Sequence, residues 1–86
     1  MKVVLPTPLA EYTAHRREVQ AEGATLEELF ADLDRRYPGL RFRVVDEQGR
    51  IRPHIKVFVN RAQAASLAQP LGARDEVLVV AALSGG

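Results

Sequence analysis

The last three residues, Ser84-Gly85-Gly86, are the ones whose types and spacing offer chemistry. A terminal carboxyl has an ordinary pKa of about 3.5 and is ionised at neutral pH. Gly85 and Gly86 carry no side chains, so this end fits a narrow channel of another protein and nothing crowds an attack on its carbonyl. Such a carboxylate can attack the α-phosphorus of ATP on a partner enzyme, giving an acyl-adenylate whose carbonyl then accepts sulfur or an amine. On this reading Gly86 reacts, while Gly85 and Ser84 form its lead. The plainer reading is a polar tail without a task.

Nothing else in the composition competes for that role. Cysteine is absent, which removes thiol nucleophiles, disulfides, iron–sulfur clusters and thiolate zinc sites. His15 and His54 are the only histidines, too few for a histidine metal site, so no metal is expected. The length of 86 residues suits one domain. Twelve Lys and Arg against eleven Asp and Glu leave a net charge of +1, too even for a chain that neutralises many phosphates, and no nucleic-acid partner is expected. The longest apolar run, Val77 to Leu83, falls far short of the roughly 20 residues that span a bilayer. Pro6 and Pro8 interrupt any signal-peptide core after Lys2. The expectation is a soluble cytoplasmic domain that is not an enzyme, binds no cofactor, and leaves any ATP to its partner.

A reactive end needs a rigid body behind it. Lys2-Val3-Val4-Leu5 reads as a strand stopped by Pro6 and Pro8, with Leu9 as a possible extension. Glu11 to Arg16 is polar and turn-like, and Arg17 to Ala21 reads as a second strand, giving an N-terminal hairpin. Thr25 and Glu28 form a capping box. Leu26, Leu29, Phe30 and Leu33 make one apolar helical stripe, and Pro38-Gly39 ends that helix. Leu40 to Val45 fits a short strand or a helical turn equally well, and Asp46 to Gly49 is a turn. Ile55 to Val59 alternates as a strand. Asn60 to Gly72 is a connector with Ala-rich helical character, anchored by Leu67 and Leu71. The last strand, Glu76 to Leu83, is apolar on both faces at Val77 to Val80 and belongs in the centre of a sheet, beside and parallel to the first. The fold class is α+β: a β-grasp (ubiquitin-like) domain over residues 1–82, with a mixed sheet, one main helix packed on one face, and a flexible tail over 83–86.

Two surface features suggest partner contacts. Ile55, Val57 and Val59 share one face of their strand, so Phe58 lies on the other; it faces either a partner or the connector. Between Arg35 and Arg61 lie eight basic residues and two acids, with Arg41 and Arg43 at the centre. That segment either steers an acidic partner or is an ordinary solvated face. Tyr12 and Tyr37 suit the ends of the core.

The stretches PTPLAEYT, ATLEELFADLDRRYPGL, DEQGRIRPHIKVFVN and RDEVLVVAALSGG together resemble the MoaD/ThiS family of sulfur-carrier proteins, in its CysO-like branch. The resemblance implies that an E1-like adenylyltransferase of the MoeB/ThiF type adenylates Gly86. A thiocarboxylate then carries sulfur to an acceptor: the large subunit of molybdopterin synthase, a cysteine synthase, a thiazole synthase or a thionucleoside pathway. The molybdopterin route would make the chain the small subunit of a synthase. Two alternatives share the fold: a ubiquitin-like modifier joined to lysines, and an interaction module whose tail does nothing.

Overall fold

The computed structural model describes residues 1–81; Ala82 to Gly86 lie outside the described residues. Five strands form one sheet: β1 (Lys2–Val4), β2 (Glu18–Gln20), β3 (Ile55–Val59), β4 (Ala62–Gln63) and β5 (Glu76–Ala81). The order across the sheet is β2-β1-β5-β3-β4. β1 and β5 run parallel, with Val3 opposite Val77, and every other pair is antiparallel. This is the expected β-grasp arrangement. β5 arrives last and takes the centre because its inner side chains, Val77 and Val79, are fully apolar and are buried.

One sheet face is covered by α2 (Leu26–Arg36) and by the short α3 (Leu40–Val44). Leu26, Leu29, Phe30 and Leu33 of α2 are all buried, as their spacing predicts. Glu28 N–H donates to Thr25 Oγ1 at 3.3 Å, and the Glu28 carboxylate accepts from Ala24 N–H at 3.1 Å. A Cβ on Gly23 would lie 2.5 Å from the Leu29 nitrogen, so only glycine lets this loop sit against the first turn of α2.

Two local expectations need correction, and one left open between strand and helix is decided. Leu9 does not extend the first strand: Thr7–Ala10 form a helical turn, α1, with Pro8 in the first turn, where its missing N–H costs nothing. A 3₁₀ turn over Glu11–Thr13 follows it. Leu40 to Val44 resolves as helix because Leu40 and Val44, one turn apart, both reach the core, while Asp34 accepts the free N–H groups of Gly39 and Arg41 at 3.1 and 3.2 Å. The connector after Asn60 is not helical. It turns back to form β4 and then runs irregularly, because its carbonyls are used elsewhere: Leu26 N–H donates to Gln69 O and Glu27 N–H to Leu67 O, each at 3.0 Å. The connector thus caps the start of α2. Leu67 is buried and Leu71 packs against the core, as expected of anchors, and Tyr12 and Tyr37 pack at its margin.

One buried charge ties the loop before α2 to the helix. Asp32, 7 % exposed, accepts from Glu22 N–H and from Arg36 Nε, each at 2.9 Å, and is bonded by Arg35 as well. The Glu22 N–H above all, with the two guanidiniums behind it, holds the Asp32 carboxyl below the usual range against the opposing effect of burial. The stability this confers is complete above the unfolded-state pKa of about 3.9 and is lost as pH falls through the lower folded value. Asp32→Asn is therefore expected to flatten the fall in stability below about pH 4. At neutral pH it should cost about 1–2 kcal/mol in urea unfolding. Asp46 and Asp75, also lowered by backbone N–H donors, keep the rest of that acid dependence. An acid limb unchanged in the variant would contradict this role.

Candidate functional site: the open face of the sheet

Among the described residues, no helical layer covers the second face of the sheet. Strand register dictates what it displays. Residues opposite one another share a face, and Val4 pairs with Leu78 and Leu78 with Phe58. A row of three apolar side chains therefore crosses β1, β5 and β3. Leu78 is 41 % exposed and Val80, its neighbour on the same face of β5, is 36 % exposed. On one flank Lys2 Nζ lies 3.7 Å from Glu18 and 3.5 Å from Glu76, so both carboxylates are engaged by a single cation. At the β3–β4 end, Phe58, Asn60, Arg61, Glu76 and Leu78 line an open depression of about 440 Å³. What this face offers is contact area: an apolar strip with a charged rim.

The sequence-based site residues do not all come together here. Phe58 is on the open face, as its phase predicts, half-buried beside Leu78. Arg41 and Arg43 are on α3, in the helical layer on the other side of the sheet. Arg41 Nη2 lies 2.8 Å from Glu27 Oε2, and Arg43 Nε donates to the Tyr12 hydroxyl at 2.7 Å while its guanidinium sits over the Tyr12 ring. Ser84, Gly85 and Gly86 lie outside the described residues. Leu78 and Val80 were not singled out, although the apolar outer positions of the last strand carried that signal. Phe42, 55 % exposed on α3 with Arg52 stacked 4.6 Å from its ring centre, was also missed. Among the described residues, no three His, Asp or Glu side chains gather as a metal-binding group. No described helix is long and apolar enough to cross a membrane.

Known proteins of the same shape exist. The ThiS family model matches residues 3–86. The sulfur carrier protein CysO of Mycobacterium tuberculosis (strain ATCC 25618 / H37Rv) is 29 % identical over 89 residues, which cover 98 % of this chain and 96 % of that protein. A chain in the crystal structure of the Amycolatopsis orientalis BexX/CysO complex superposes with a TM-score of 0.90 at 30 % identity, covering 99 % of this chain and 98 % of the other. SAMP1 from Haloferax volcanii superposes with a TM-score of 0.79 at 31 % identity, covering 100 % and 98 %. With the β-grasp sheet, the apolar strip on β5 and a family match that includes Gly85 and Gly86, this chain belongs to the ThiS family and is a carrier rather than a catalyst.

Proposed function

We propose that this chain carries sulfur as a thiocarboxylate on Gly86. A carboxylate oxygen of Gly86 attacks the α-phosphorus of ATP, held by an E1-like adenylyltransferase of the MoeB/ThiF type, and pyrophosphate leaves. A sulfur nucleophile then attacks the acyl carbon and expels AMP, leaving C–S in place of C–O. The chain supplies the acyl group and a docking surface; the partner supplies ATP and the catalytic groups. The observation that carries this reading is the family match, which runs through Gly86. ATP consumption suits a cytoplasmic setting.

The docking surface is the open sheet face. Five residues separate Ala81, the end of β5, from the chain end, and fully extended they span at most about 17 Å. A partner that holds the Gly86 carboxylate in its active site must therefore come close to β5, whose outer face shows Leu78 and Val80 beside Phe58. Leu78→Glu is expected to raise the KM for the carrier in ATP–pyrophosphate exchange about tenfold, the cost of a central contact. The melting temperature should stay nearly constant, because Leu78 is already 41 % exposed. An unchanged KM would remove the open face from the docking surface.

Of the possible acceptors, the CysO relatives support a cysteine-forming enzyme over molybdopterin synthase. The likeness to SAMP1, a small archaeal modifier protein, supports a second reading in which the same activated carbonyl is passed to a lysine amine. Lysines of other proteins bearing this chain through Gly86 would establish that second reading.

A further inference from the structure

The β3–β4 hairpin turns on two residues, Asn60 and Arg61, with Val59 opposite Ala62. Both have positive φ, 49° and 78°. A two-residue hairpin with positive φ at both positions is a type I′ turn, and its favoured sequence is Asn-Gly. Asn60 is accounted for. Its amide donates to Asp75 Oδ1 at 2.7 Å, its side-chain oxygen accepts from Glu76 N–H at 2.9 Å, and its own N–H donates to Glu76 O at 3.0 Å. The turn is clamped to the start of β5.

Arg61 is not accounted for by the fold. A side chain at φ 78° is strained where glycine is not. Among the described residues Arg61 is exposed, makes no side-chain hydrogen bond and lies within 4 Å of no carboxylate. The other non-glycine pair with positive φ, Ala14 and His15, closes a helical segment, where left-handed residues commonly serve. Arg61 has no such role, yet it lines the depression beside Phe58 and Leu78. The acid that lines the depression, Glu76, already lies 3.5 Å from Lys2 Nζ.

We propose that Arg61 is a specificity-determining contact for the activating enzyme, with its guanidinium held at the rim of the apolar strip to pair with a carboxylate of that enzyme. The inference rests on the sulfur-carrier reading. It commits to the activating enzyme because that partner must take hold of Gly86 and so approach β5 first. The hairpin retains a strained residue for binding where glycine would fold better.

The test compares wild type with Arg61→Gly, Arg61→Gln and Arg61→Lys, using an E1-like adenylyltransferase that activates the wild-type chain. Arg61→Gly is expected to raise the melting temperature by about 5 °C, since strain is relieved in a small domain. The same variant should raise the KM for the carrier about fivefold with kcat unchanged, the size of one exposed ion pair. Arg61→Gln should reproduce the KM rise without the gain in stability, and Arg61→Lys should restore most of the affinity. Added salt should raise the wild-type KM and move that of Arg61→Gly less. A wild-type KM retained in both Arg61→Gly and Arg61→Gln would overturn this inference alone. Failure of every such enzyme to activate wild type would overturn the sulfur-carrier reading and this inference with it.

Discussion

Deleting Gly86 is expected to lower adenylation of the carrier at least about 100-fold while leaving its melting temperature unchanged. The deletion leaves Gly85 at the end, so the new terminus has the same chemistry as the old one. Only its reach differs. Removing one residue withdraws the carboxylate by about 3.5 Å. A misplacement of about 1 Å at a reacting centre already costs on the order of 100-fold. The body of the domain, anchored by β5 at Glu76–Ala81, cannot follow the shortened chain and keep the proposed contact through the open sheet face. ATP–pyrophosphate exchange with a matched adenylyltransferase measures the effect. Exchange at the wild-type rate would show that the position of the carboxylate is not what the partner reads.

Phe30→Ala is expected to remove about 3–5 kcal/mol of stability. Phe30 is the largest of the fully buried side chains and lies on the apolar face of α2, in the same core as Leu29, Leu33 and the inner residues of β1, β3 and β5. Truncation leaves a cavity that the surrounding strands cannot fill without breaking their register. A domain of this kind holds only about 5–15 kcal/mol in total, so the variant should melt more than 10 °C below wild type, and its urea midpoint should fall at constant slope. Phe58→Ala, on the open face, should cost far less. Equal losses for the two variants would mean that the two faces of the sheet are not distinct in the way described.

The parts of this fold that are written locally were legible. Thr25 and Glu28 mark the start of α2 within one turn, and the stripe from Leu26 to Leu33 fixes the face it buries. The parity of Ile55, Val57 and Val59 places Phe58 on the opposite face without any knowledge of the partner strands. What could not be read depends on distant groups. The connector's alanines favour a helix, but Leu67 and Gln69 give their carbonyls to the first N–H groups of α2, forty residues earlier in the chain. Leu40 to Val44 becomes a helix because Leu40 and Val44 reach the core and Asp34, on the preceding helix, accepts the N–H groups of Gly39 and Arg41. The basic segment shows the same limit. Counting its charges does not reveal that Arg41 is already paired with Glu27, or that Arg61 sits in a left-handed turn at the edge of the apolar strip. Gly86, the residue we propose reacts, lies outside the described residues and was read from the terminal glycines alone.

The central claim is that Gly86 carries sulfur. Intact-mass analysis after incubation with the adenylyltransferase, ATP and a sulfide donor tests it directly. The account predicts a gain of about 16 Da, one oxygen replaced by sulfur, confined by fragmentation to Gly86 and absent without ATP. A chain activated by the enzyme yet unchanged in mass, or a gain that maps to any other residue, would contradict it.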